Sequence, residues 1–565
     1  MERRTKAWQR ARLTPLAGKL PPEWEARYQA LIAELGPQTD EPRIYSGWVG
    51  PSSPWSKEVI AAWSPIELAA QLRAWREPER GWDTPTPEGV GRMLTEVVAE
   101  NPEPYANEAA LLRGLSPTYV RAALQGFRDA AKAKRAFPWH PVLELCAWLE
   151  TQRDAAPPDA TGTGDEDPHW GWARREVASL LSTGFEGSVQ IPIQERELVW
   201  DVLAPLTTDP EPSPDYEARY GGENMGPLNL SINTIRGEAM HAVVRYCLWT
   251  YRVLAERPDP AWRGFASVPE ARAVLELHLD VASDPSLAIR AVYGQWLPWL
   301  ALMDPHWVEQ ALPHLFPVAS TLQSHRDAAW DTYVTMNRLY RNVFDLVRQE
   351  YERAVDDVGR TRPIETKLYE APDHFLTQHV LVAYLLGWVD LSETGLAARL
   401  FTRAPEEHRV HAIEFVGRVL GEDNPPSDPA ALARVPAFWD WVQTQRPRPK
   451  ELEAFGWWYQ AGRLEETWAL GQLVSVLERT EGHIDMDHSV AEQLAASTGP
   501  LEDRLRAFDL MVQGAPSHSW EIGAWNEPLR AVLTTALADP TLAPRARALT
   551  GRVIAKGYPG FAELL

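Results

Sequence analysis

Four groups of residues in this chain combine side chains and spacings that could do chemistry. In "LNLSINTIRGEAMHAVVRYCLW" (Leu228 to Trp249), a run rich in Asn, Ser and Thr leads through Arg236-Gly237-Glu238 into a long apolar segment. Glu238, His241, Arg245 and Arg252 are spaced three, four and seven apart and so share one stripe of a helix. Arg236, Glu238 and His241 could then form a ligand or proton-transfer site. In "EEHRVHAIEF", His408, His411 and Glu414 lie three apart on one helix side, a conceivable metal face that shows no fourth ligand. "EGHIDMDHS" offers His483, Asp485, Asp487 and His488 just ahead of a helix. Asp356, Glu365 and Lys367 match the loose D…E-x-K spacing of metal-dependent nucleases, whose carboxylates hold magnesium while the lysine stands beside the attacked phosphate.

Each group also has a structural reading. With Asn233 as the N-cap, Arg236 projects into the apolar arc of the helix. It lies in the first turn, where the helix dipole disfavours a cation, and a buried guanidinium is costly unless paired. Upstream carbonyls and side chains, including Asn229, Asp215 or Glu217, are the expected partners. Asn233 or Ser231 then caps the helix, and Asn233, Arg236 and Glu238 are read as structural anchors that pin a long loop. Gly237 costs helix propensity in that first turn, so something must approach closely there. His408 and His411 read as polar residues on an exposed stripe. Asp487 or Ser489 reads as the cap of the helix that follows. The flanks of Asp356, Glu365 and Lys367 are helical or irregular, where the nuclease arrangement needs adjoining strands.

No other motif adds a reaction. Gly18-Lys19-Leu20 does not complete a P-loop, and neither H-E-x-x-H nor G-x-S-x-G occurs. "GTG" at 162–164 runs into Asp-Glu-Asp with no strand before it, which does not support dinucleotide binding. No catalytic, cofactor-binding or metal-ligating residue is assigned, and no cofactor is expected.

The elements that must position these residues read as helices. Ser64-Pro65-Ile66-Glu67 places Ser at N-cap, Pro at N1 and Glu at N3, a capping box. The same Ser/Asp-Pro device recurs at Ser116, Asp284, Asp304, Asp428 and Asp539, each time before an apolar helical pattern. "GSVQIPI" (187–193) is the best strand candidate and could equally be an extended loop. On the order of twenty helices joined by short loops are expected, an all-α protein. Polar, Pro/Gly-rich breaks at 151–170, 207–229 and 356–374 suggest helical segments of 1–155, 168–356 and 370–565. Successive helix pairs of degenerate sequence suit an α-solenoid of the HEAT or armadillo kind; irregular helical bundles are the alternative.

Composition narrows the partners. The 565 residues carry a formal charge of -22, which a phosphate backbone repels unless positive charge is gathered locally, and the basic clusters are small. Nucleic acid is therefore disfavoured. Cys146 and Cys247 sit among apolar neighbours and read as reduced, buried thiols of a cytoplasmic protein. The charged start has no signal-peptide pattern. The longest apolar run, Val380 to Val389, is about half of the roughly 20 residues a membrane span needs. Of 26 tryptophans, two close pairs, Trp439/Trp441 and Trp457/Trp458, cannot both point inward from one helix, so their exposed members would mark a protein-binding surface.

"WARREVASLL" (172–181), the stretch at 228–249 and "LDVASDPSLAIRAVYGQWLPWLALMDPHWVEQALPHLFP" (279–317) together resemble a helical region of large bacterial anti-phage defence proteins. The resemblance spans about residues 60 to 350, and its motifs are structural rather than catalytic. In that family the region tends to follow an effector or nucleotide-binding module, which is not recognisable here. It implies a helical-repeat protein that binds another protein, as the sensor of a phage component or the scaffold for an effector subunit. The rivals are a metal-dependent nuclease or hydrolase and a nucleic-acid-binding helical repeat.

Overall fold

The computed structural model describes residues 2–36, 50–78, 84–155, 167–222, 225–255, 262–362, 371–421 and 428–565. Among them the chain is all-α: 31 α-helices and no strand. The strand candidate is irregular backbone running into a 3-10 turn at Ile193–Glu195, with the Ile191 N–H donating to the Gly184 carbonyl at 2.8 Å. No helix among the described residues is long and apolar enough to cross a membrane.

Twelve helices matter for the sites. They are α1 (Pro87–Glu100), α2 (Pro117–Lys132), α3 (Gly171–Gly184), α4 (Pro227–Asn233), α5 (Ile235–Ala255) and α6 (Leu287–Met303). Then follow α7 (Gln323–Met336), α8 (Pro372–Leu385), α9 (Glu406–Gly421), α10 (Pro429–Thr444), α11 (Gly456–Tyr459) and α12 (Glu466–Arg479). A row forms in chain order: α1 on α2, α2 on α3, α3 on α5, α5 on α6, α6 on α7, α7 on α8, α8 on α9 and α9 on α11. Helices that intervene in the chain pair with one another, Trp139–Glu150 with Arg196–Thr207 and Pro269–Leu279 with Pro305–Leu315. Buried apolar residues from Ile60 to Phe561 connect into one cluster.

The proline punctuation works at some positions and not others. Ser64 forms the full capping box, and Asp304 and Asp428 cap their helices through the side chain. Ser116 occupies the N-cap of α2 without a side-chain bond. Asp284 and Asp539 do not cap: Ser286 is the N-cap of α6, and Leu542 stands at the start of Ala543–Ala555. Asp284 is drawn away because it is buried against Arg236 and His278.

Candidate functional site

The motif at 228–249 folds as two helices, not as a loop feeding one. "PLNLSIN" is α4, with Pro227 at its first position, and Thr234, in extended conformation, separates it from α5. Asn233 is therefore not the N-cap of α5. It ends α4, where its amide donates to the Asn229 carbonyl at 2.8 Å. The Thr234 carbonyl accepts the first bond of α5, from the Glu238 N–H at 3.0 Å. Ser231 does not cap α5 either; its hydroxyl donates to the Leu228 carbonyl at 2.6 Å. A Cβ on Gly237 would stand 2.1 Å from the Ser231 carbonyl oxygen, so the close approach predicted there comes from α4.

Arg236 is buried and donates to the carbonyls of Asp209, at 2.5 Å, and Pro212. Its guanidinium also pairs with the Asp284 carboxylate at 3.2 Å. Upstream carbonyls are thus among its partners, as expected, while the side chain comes from Asp284 and not from Asn229, Asp215 or Glu217. Glu217 instead accepts from the Ser286 hydroxyl at 2.6 Å and from the Leu287 and Ala288 N–H groups at 3.1 and 2.8 Å, capping α6 from outside. That placement follows the helix dipole, which favours a carboxylate at an N-terminus. Asp284 also meets His278 Nδ1 at 2.7 Å.

His241 is buried inside a chain of hydrogen bonds that fixes its tautomer. The Trp296 indole, which can only donate, gives its N–H to Nδ1 at 2.8 Å, so Nε2 carries the proton and donates to the Ser231 hydroxyl at 2.9 Å. Burial, reinforced by Arg245, lowers its pKa to about 3. A base so weak and so enclosed is a poor proton shuttle near neutrality. Glu238 accepts from the Ser179 hydroxyl at 2.9 Å. The residues that the sequence grouped for chemistry are thus divided: Arg236 faces the interior, while Glu238 and His241 border a polar furrow.

That furrow, of about 470 Å³, runs across α2, α3 and α5 and is lined by Arg121, Arg128, Arg175, Arg245, Glu176 and Glu238 among others. Arg121 is held by Asp167 and Glu88, and Arg245 by Glu186 while it also lies over the Trp296 ring. Arg128 stands 3.0 Å from Glu176, whose carboxyl burial pushes up to about 7. Arg175 makes one long bond, 3.4 Å, to the Asn233 carbonyl. Arginines outnumber carboxylates here, against the sign of the whole chain.

A second cavity, of about 440 Å³, opens at the N-terminal end of α4, between α7, α8 and α9. Asp327 and Asp331 stand one turn apart on α7, and Asp373 starts α8. Arg360 clamps Asp327 with two bonds of 2.8 Å, and Arg362 bridges Asp331 and Asp373 at 2.8 and 2.6 Å. Burial pushes the Asp331 carboxyl up to about 7, against the pull of Arg362. Asn229 Nδ2, Asp331 Oδ1 and His408 Nδ1, on lining residues, are sealed from water and have no hydrogen-bond partner among the described residues. The sequence reading missed this cavity. Asp327/Asp331 at helical spacing and "GRTRP" at 359–363 were its only local signals.

His408 and His411 are buried, not exposed. His374 from α8 covers them, stacked on His411 with ring centres 4.2 Å apart, and Gln378 reaches His411 Nε2 at 3.2 Å. Burial, with His374 beside it, lowers the His411 pKa to about 3. Asp356 is taken by Arg399 and Arg403, while Glu365 and Lys367 lie outside the described residues. Asp487 is the first residue of its helix, behind Met486, and accepts from the Trp525 indole at 3.0 Å; His483 turns back to the Thr480 carbonyl at 3.0 Å. Among the described residues, no three His, Cys, Asp or Glu side chains gather in a way that could hold a metal ion.

The tryptophan pairs are corrected in half. Trp439 and Trp458 are 0 % exposed and face neighbouring helices, so neither ring is open to a partner. The Trp439 indole donates to Gln472 of α12 at 2.9 Å and the Trp458 indole to the Ile413 carbonyl of α9 at 2.7 Å. Both rings are covered because α10 and α11 meet other helices in more than one direction. Trp441 and Trp457 are half-buried, Trp441 against Phe401 and Trp457 beneath the Arg418 guanidinium. No protein-family model matches the sequence, and no curated protein matches it either.

Proposed function

We propose that the chain is an α-solenoid of HEAT/armadillo-like helix pairs that binds another protein in the cytoplasm, as sensor or scaffold in a bacterial anti-phage system. The resemblance over residues 60–350 supports the setting, and the near-neighbour row from α1 to α9 supports the architecture. The observation that carries the binding reading is the furrow across α2, α3 and α5, an open, arginine-rich strip in an acidic chain. It suits a partner segment bearing carboxylates, through charge-assisted hydrogen bonds to Arg128 and Arg175.

The test begins with purification of the tagged chain from its native host and identification of what accompanies it. The identified protein is then combined with the chain from purified components. Arg175→Glu is expected to weaken saturable binding by about tenfold or more, as loss of one charged contact does. Equal affinity of Arg175→Glu and the parent would remove the furrow from the interface, and absence of saturable binding by any accompanying protein would overturn the scaffold reading.

A further inference from the structure

Arg175 is the guanidinium of the furrow that no carboxylate holds within ion-pair distance among the described residues; its hydrogen bond is the 3.4 Å contact to the Asn233 carbonyl. Glu176, next in the chain, feels its charge but stands against Arg128. Arg121, Arg128 and Arg245 each have a carboxylate partner. Two bulky apolar side chains border Arg175 and stay in water. Trp172 lies one turn before it on the same face of α3, 48 % exposed, with the Arg121 guanidinium 5.9 Å from its ring. Ile232 lines the furrow at the end of α4, 47 % exposed, next to the Asn233 whose carbonyl Arg175 touches. Apolar residues exposed singly are ordinary. Two beside an open guanidinium have the composition of an interface core, where Trp and Arg are enriched and apolar neighbours keep water from a charged contact.

Charge and spacing select the occupant. A carboxylate complements a guanidinium through two parallel hydrogen bonds. A phosphate backbone would bring many charges at once to a chain of formal charge -22, with Glu176 and Glu238 in the same furrow. One turn of α3 separates Trp172 from Arg175 by about 5 Å along the helix axis. Alternate side chains of an extended segment stand about 7 Å apart on one side. A carboxylate and an apolar side chain two positions apart therefore reach both residues together. Such selection rests on the furrow being the protein-binding face, and adds which sequence that face accepts. We infer that the partner docks an extended segment carrying Asp or Glu with a bulky apolar residue two positions away, the carboxylate on Arg175 and the apolar side chain against Trp172 and Ile232.

The experiment uses the full chain and the peptide acetyl-Gly-Phe-Ser-Glu-Gly-amide, read by calorimetry, beside one version with Gly in place of Phe and one with Gln in place of Glu. The parent peptide is expected to bind saturably at one per chain, and each altered peptide about tenfold or more weaker. Trp172→Ala should weaken the parent peptide and leave the Gly version unchanged. Should Trp172→Ala melt early, because its ring supports Arg121, Ile232→Ser carries the same comparison. Equal affinity for the parent and Gly peptides, with loss only for the Gln version and in Arg175→Glu, would overturn the apolar selection and leave the furrow reading standing. Undiminished binding of the parent peptide in Arg175→Glu would overturn both. Absence of saturable peptide binding would overturn the selection alone, since the purified native partner tests the furrow separately. Tighter binding of an oligothymidylate that Trp172→Ala abolishes, or a dimer of the chain that Trp172→Ala breaks, would seat nucleic acid or a second copy there and overturn it as well.

Discussion

At the scale of single residues, the structure separates groups that hold the fold from groups that could meet a ligand. Arg236 belongs to the first kind: two carbonyls and a buried carboxylate converge on it. Arg236→Ala leaves Asp284 buried without that cation and is expected to cost about 3–5 kcal/mol, read as a fall in the denaturation midpoint. Its burial was legible because it falls in the apolar arc of a helix. Upstream carbonyls were legible as a class of partner, but not which ones, since any residue type supplies a backbone oxygen, and Asp284 lies 48 residues downstream.

His241 sets a second expectation, on pH. Its pKa is about 3 folded and near 6.5 unfolded, so the unfolded chain takes up the extra proton between those values. Stability from this group is therefore full above about pH 6.5 and falls as pH drops toward 3, by at most about 1.4 kcal/mol per pH unit. His379 and His411, lowered to about 4 and about 3, act in the same sense. Glu176 and Asp331, raised to about 7, act oppositely, binding protons in the folded state first and losing stability as pH rises through 7. The clean measurement is a difference. Urea midpoints of His241→Gln should be lower than the parent's at pH 7, with the gap narrowing toward pH 4; a constant gap would contradict a neutral, buried His241.

At the scale of elements, two glycines mark where helices touch through backbone. A Cβ at Gly237 meets the Ser231 carbonyl at 2.1 Å, and one at Gly294 meets the Ala329 carbonyl at 2.0 Å, between α6 and α7. Alanine improves helix propensity by about 1 kcal/mol, yet Gly294→Ala must push α6 and α7 apart, and overpacking costs about 1–3 kcal/mol or more. A net loss of stability in Gly294→Ala is expected, while Gly471→Ala on α12, where the added Cβ meets nothing within 4 Å, should gain. The cost of Gly237 was readable as a sign of close approach. The α4 helix was not, because its Asn- and Ser-rich sequence reads as a loop and only Pro227 announces a start. Burial of His408 and His411 was likewise hidden, since the covering residues, His374 and Gln378, come from another helix.

At the scale of the whole molecule, packing follows the chain. The principal helix contacts join elements close in sequence, from α1 to α11. Fold class was therefore legible from periodicity and proline punctuation, since each helix needs only its neighbours. The orientation of a given side chain was harder, as Trp439 and Trp458 show. Trp458→Ala removes a 0 % exposed ring and an indole bond to Ile413, and is expected to cost about 3–5 kcal/mol. With contacts this local, the damage should stay local. Hydrogen exchange should accelerate over α9 to α12 and leave α1 to α3 protected, whereas uniform acceleration would show one indivisible cooperative unit.

The capping of α6 by Glu217 has a consequence in time. The carboxylate stands 69 to 71 residues before the hydroxyl and two N–H groups it serves. During synthesis the helix Pro214–Tyr220 leaves the ribosome first and holds an acceptor with nothing yet to accept, while α6 emerges later with its first turn unfinished. The joint is completed only when the two dock, after the intervening helices have been made. Glu217→Gln keeps the shape and weakens the attraction to the helix end. It should slow refolding more than it speeds unfolding if the joint closes before the main barrier, and the reverse if it closes after, an order that stopped-flow refolding and unfolding rates of the variant and the parent can read.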